Sequence, residues 1–176
     1  MKTLAVSALV CALMALTRAA AFPGPKAAND QADESELVKR SIGMGCSTRW
    51  TNINGRYFRF VPKHLTWAQA ERNCQSMGGN LASVHSTQEY NNIQWLIKNT
   101  IYEHKKTWIG GSDAQENNIW LWSDGTTFRY SHWCRGEPNN GAGQQHCMQM
   151  NYGARKCWDD LQCNRRLPSI CAKKAQ

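Results

Sequence analysis

The chain has 176 residues, 41% of them hydrophobic, with eight cysteines, eight tryptophans and a formal net charge of +8. Its length suits one folded domain, and no apolar run is long enough to cross a bilayer, which excludes membrane insertion. The charge favours acidic surfaces such as bacterial envelopes, but no basic run alternates with aromatics as a nucleic-acid surface requires.

The first 21 residues read as a signal peptide: Lys2, an apolar stretch (LAVSALVCALMAL) and a small-residue zone at Ala19, Ala20 and Ala21. Residues 22–40 carry two prolines and four acids with few bulky apolar side chains, a composition unable to bury a core. The segment ends in Lys39-Arg40, so it reads as a propeptide cut after Arg40. Residues 41–176 remain as the domain of a secreted protein, with 16 Lys and Arg against 9 Asp and Glu, near +7. Seven cysteines lie there, an odd number that in an oxidising compartment leaves at least one outside an intrachain pair.

Residues 56–62 (RYFRFVP) predict a first strand. Thr66 and Gln69 form a capping box for a helix whose inner face carries Trp67, Ala70, Cys74 and Met77, and Gly78-Gly79 ends it. Ser86 and Glu89 predict a second capping box, with Tyr90, Ile93 and Ile97 as that helix's buried stripe. Beyond Thr107 come short strands between polar turns: TWIGG, IWLW, CMQM, KCWDD and SICA. Two helices followed by short strands give an α+β fold, with the tryptophans supplying core area. Between Cys134 and Cys147 the stretch CRGEPNNGAGQQHC gathers an acid, a proline and several carboxamides, too rich in Gly and Asn for helix or strand.

Trp108-Ile109-Gly110-Gly111, Glu137-Pro138-Asn139, Cys147, Trp158-Asp159-Asp160, Cys163 and Cys171 come in the order and spacing of a C-type lectin-like domain, and the resemblance covers nearly all of residues 46–172. Within that family the chain is similar to fish secreted lectins of the ladderlectin and nattectin kind and to fish type II antifreeze proteins. The resemblance implies three disulfides: Cys74–Cys171, Cys147–Cys163 and Cys134–Cys157. It also leaves Cys46 without its usual partner, because Tyr57 stands where many relatives have the second cysteine. A disulfide-linked homodimer through Cys46 follows as an expectation.

The resemblance further implies one calcium ion held by Glu137, Asn139, Gln145, Asp159 and Asp160, with Pro138 in a cis bond. Calcium takes six to eight hard oxygen ligands, which carboxylates and carboxamides supply. The family usually has Glu at position 145 and Asn at 159, so this chain exchanges them and keeps three negative charges. Glu137, Asn139, Gln145 and Asp159 would then face the sugar. The EPN triplet implies mannose-type recognition, while the exchange makes galactose in a rotated pose a second option, with Tyr152 as the stacking aromatic. A second calcium site of some relatives maps to Asp113, Asn117, Asn140 and His146, where a single carboxylate predicts no metal. The expected function is a secreted calcium-dependent lectin for microbial or host surface glycans. The alternative is ice binding, disfavoured by Arg135, Arg155 and Lys156 around the loop and by Ala114 and His146, which replace a disulfide of the antifreeze group. An enzyme is not expected: no zinc-protease helix or nucleophile elbow is present, and the five histidines are scattered.

Overall fold

The computed structural model describes residues 49–175. The expected signal peptide, propeptide and Cys46 lie outside the described residues. The elements in chain order are β1 (Thr51–Ile53), β2 (Arg56–Leu65), α1 (Trp67–Ser76), β3 (Asn80–Leu81), α2 (Thr87–Ile101), β4 (Thr107–Ser112), β5 (Leu121–Trp122), β6 (Cys147–Tyr152), β7 (Cys157–Leu161) and β8 (Leu167–Lys174). They form the expected α+β fold around a sheet of order β1-β2-β8-β4-β6-β7, with β3 paired to β8 and β5 to β4.

Helix α1 starts where the capping box places it. Thr66 Oγ1 accepts from the Gln69 amide at 3.3 Å, and Gln69 Oε1 accepts from the Thr66 amide at 3.2 Å. Ala70 and Cys74 are buried, Trp67 and Met77 pack partly buried beside them, and Gly78 turns the chain away at φ +78°. Helix α2 corrects half of the second expectation. Ser86 caps the Glu89 amide at 3.1 Å, but the Glu89 carboxylate does not return to Ser86. Its Oε2 accepts from the His85 amide at 2.8 Å and its Oε1 pairs with Arg56 at 2.6 Å, so a guanidinium from β2 and the amide one residue before Ser86 take both oxygens. Tyr90, Ile93 and Ile97 are buried as expected.

Strands β2 and β8 are the spine. Their register pairs Phe58 with Ala172 and Phe60 with Ile170, so period-two alternation sends all four into the core that α2 covers. The segment IWLW is strand only at Leu121–Trp122. Two short strands, β1 and β3, had no counterpart in the sequence reading.

The three disulfides form as expected, Cys74–Cys171, Cys134–Cys157 and Cys147–Cys163. The first joins α1 to β8 across a sequence separation of 97 and on loop-entropy grounds contributes roughly 4–5 kcal/mol. The other two bracket β7. That strand is also wedged from inside: the Trp158 ring lies 5.6–5.8 Å, centroid to centroid, from Tyr130, Trp122 and Trp133, edge to face in each case. Such pairs add about 0.5–1.5 kcal/mol each beyond area burial, so the residues following Trp158 sit on a stiff base.

Candidate functional site

Strand β7 carries Asp159 and Asp160, and the loop of residues 134–147 folds over them. The loop's course follows from its residues. Gly136 adopts φ +89°, a backbone that disfavours any side chain, and the Glu137 amide closes a turn onto the Cys134 carbonyl at 3.0 Å. The Glu137–Pro138 bond is cis, as the sequence reading expected. Asp160, fully buried, then holds the loop from below: Oδ1 accepts from the Asn139 amide at 3.0 Å and Oδ2 from the Asn140 amide at 2.7 Å.

Glu137, Asp159 and Asp160 each offer a carboxylate oxygen, and these lie within 4.8 Å of one another. Glu137 Oε2 is buried and has no hydrogen-bond partner. Burial, then the charges of Asp159 and Asp160, push the Glu137 carboxyl up to about 7. Burial also raises Asp159, against hydrogen bonding from Gln149 and the charge of Lys106. Three acids crowded this closely repel one another unless a proton or a cation intervenes. An orphaned buried oxygen within an all-oxygen donor set fits a hard divalent cation.

The structure brings together Glu137, Asp159 and Asp160. Asn139 and Gln145 are carried by the loop that Asp160 holds, and their side-chain oxygens meet at Gly141: a Cβ placed there would crowd Gln145 Oε1 and stand 3.3 Å from Asn139 Oδ1, so only glycine leaves both oxygens where they are. Gln145 Oε1 accepts from the Gly141 amide at 2.5 Å, which bends the loop inward. A carboxamide oxygen has a second lone pair, and the Gln145 amide group remains a donor. Tyr152 lies at the end of β6 with one ring face covered, since Lys106 Nζ sits 4.8 Å from the ring centroid.

Two site residues carried little sequence signal. Gln149, fully buried, donates to Asp159 Oδ2 at 2.6 Å and so aims that carboxylate. A lone amide inside the buried strand CMQM, opposite CWDD, was the available clue. Lys106 is distant in sequence and gave none.

The four positions of the second metal site converge but satisfy one another. His146 Nδ1 lies 3.0 Å from Asp113 Oδ1, the Asn118 amide donates to Asp113 Oδ2 at 2.8 Å, and Asn140 Nδ2 donates to Asn117 Oδ1 at 2.7 Å. These contacts clasp the 113–118 loop to the 134–147 loop.

A long polar loop laid over paired acids on a disulfide-bracketed strand defines a C-type lectin domain, and the chain belongs to that family: the C-type lectin domain model matches residues 63–173. Among relatives, ladderlectin of Oncorhynchus mykiss is 35% identical over 180 residues, covering 99% of this chain and 95% of its own. The galactose-specific lectin nattectin of Thalassophryne nattereri is 39% identical over 137 residues, 77% of this chain and 85% of its own. Among solved structures, a Ca2+-dependent type II antifreeze protein in its Ca2+-free form superposes with a TM-score of 0.67 at 38% identity, over 73% of this chain and all of its own. Lectins and antifreeze proteins are non-enzymatic, and this chain is a binding protein rather than an enzyme.

Proposed function

We propose that the protein is a secreted, calcium-dependent lectin that recognises galactose- or mannose-type sugars on microbial surface glycans. The observation that carries the reading is the convergence of the Glu137, Asp159 and Asp160 carboxylates within 4.8 Å beneath a loop that presents Asn139 and Gln145. Calcium held there supplies open coordination positions for two neighbouring sugar hydroxyls. The chain's own part is to orient acceptors and donors beside them: carboxylates accept, and the amide groups of Asn139 and Gln145 donate. Gln149 engages one oxygen of Asp159 and leaves the other to face the sugar. The 39% identity to a galactose-specific lectin supports the galactose arm. Three intrachain disulfides support an oxidising, extracellular setting.

A glycan array with and without chelator tests this. Binding to galactose- or mannose-terminated glycans is expected in calcium, and is expected to disappear with chelator or in Glu137→Ala. Signal that survives both changes removes the metal site from the account. Dimerisation through Cys46 would raise avidity on multivalent surfaces. Electrophoresis of the mature protein is expected to show a dimer band that collapses on reduction, and a monomer band without reductant refutes the linkage.

Ice binding is the second reading, favoured by the likeness to a type II antifreeze structure. Arg135 and Arg155 are exposed around the loop and suit ice poorly, since they hold hydration water strongly. A large thermal hysteresis in purified protein would reverse the order of the two readings.

A further inference from the structure

We infer that Lys106 and Tyr152 form a subsite for an anionic substituent, sulfate or carboxylate, on the saccharide bound at the carboxylate cluster. This deepens the lectin reading and rests on it. Lys106 is exposed at the threshold of β4, and among the described residues it forms no ion pair. Its neighbour Lys105 differs, being paired with Glu103 at 3.2 Å. The Lys106 ammonium is nevertheless placed, by the Tyr152 ring 4.8 Å below it. The surrounding backbone is placed too. Asn151 Nδ2 donates to the Lys105 carbonyl at 3.0 Å, Gln94 donates to Asn151 Oδ1 at 2.9 Å, and Tyr90 donates to the Lys156 carbonyl. Helix α2, the β6–β7 hairpin and the start of β4 are thereby pinned to one another beneath the lysine.

Two further observations say what this cation is for. The β6–β7 register pairs Tyr152 with Cys157, two residues before Asp159 on the same strand, so the ring and the ammonium over it stand beside the carboxylate cluster rather than remote from it. Arg155 and Lys156, on the β6–β7 hairpin that carries Tyr152, also make no ion pair among the described residues, so the hairpin adds uncompensated positive charge near Lys106 in the chain fold. A divalent cation on the carboxylates cancels two of their three charges and leaves Lys106 with little to attract it inward. An ammonium held on an aromatic face beside a neutralised cluster is suited to a sulfate or carboxylate oxygen, and the same ring offers its free edge to the sugar. The covered face gives Tyr152 the support of a charge as a second task beside the expected stacking on the sugar.

The test compares affinities for galactose and for galactose 3-sulfate and galacturonate at saturating calcium. The acidic probes are expected to bind roughly two- to fivefold more tightly than the neutral sugar, the scale of an exposed charge contact, with the preference shrinking as sodium chloride is raised. In Lys106→Gln the ratio is expected to fall to about one, and Lys106→Arg is expected to keep it. Inorganic sulfate alone should shift the Tyr152 ring resonances in the parent protein and not in Lys106→Gln. Equal affinity for neutral and acidic probes in the parent, or a ratio unchanged in Lys106→Gln, overturns the subsite and leaves the lectin reading standing. Binding of no probe in calcium overturns both.

Discussion

Replacing Asp160 by alanine is expected to abolish the proposed calcium binding and to loosen the 134–147 loop at the same time. The residue acts twice, as one of three converging carboxylates and as the acceptor for the Asn139 and Asn140 amides. Its loss leaves two backbone donors without partners, a cost of about 1–3 kcal/mol, and takes a charge from the donor set. Glu137→Ala removes only a donor, since Glu137 accepts no side-chain contact that shapes the loop. Calcium-induced rise in thermal midpoint is the shared readout, and both variants should lose it. Only Asp160→Ala should also lower the midpoint in chelator. An Asp160→Ala protein as stable in chelator as its parent would show that the loop does not depend on that residue.

The second large effect is a coupling between pH and metal. In metal-free protein, burial and the neighbouring acids hold the Glu137 carboxyl at about 7 against an ordinary value of 4.5. Between those values the folded state keeps a proton that the unfolded state has lost. Stability of the metal-free protein should therefore fall as pH rises through this window, with the unfavourable contribution complete above 7. On the proposed calcium reading the sign reverses, because the ion would bind the deprotonated cluster. Uptake below pH 7 must expel about one proton, so affinity is expected to drop roughly tenfold per pH unit between 7 and 5. Calorimetry in buffers of different ionisation enthalpy measures the released proton directly. Affinity that is flat from pH 7.5 to 5.5 would mean that Glu137 is already ionised without metal.

The fold was legible in the sequence wherever a local rule sufficed. Thr66 with Gln69, the Gly78-Gly79 stop and the Tyr90, Ile93 and Ile97 stripe each depend on residues within a turn or two. The disulfides and the cis bond came from resemblance, since no local rule selects a partner 97 residues away. The Ser86–Glu89 box failed in one half because Arg56, 33 residues upstream, takes one carboxylate oxygen and the His85 amide takes the other. The acids of the candidate site were legible as residue types. Their supports were not: Gln149 reads as one polar letter in a strand, and its action on Asp159 exists only across the β6–β7 register. Lys106 reads as an ordinary surface charge until folding sets it over Tyr152.

The clasp between the 113–118 and 134–147 loops separates what must stay constant from what is free to drift. Asp113 with His146 and Asn117 with Asn140 secure the two shoulders of the longer loop, while Ala142, Gly143 and Gln144 project beyond them into solvent. Substitutions in that three-residue tip touch neither the carboxylates nor the disulfides. Side chains can therefore be varied at Gln144, by selection or by a designed library, while the scaffold beneath remains intact; Ala142 at φ +57° and Gly143 at φ +67° hold the turn and tolerate less.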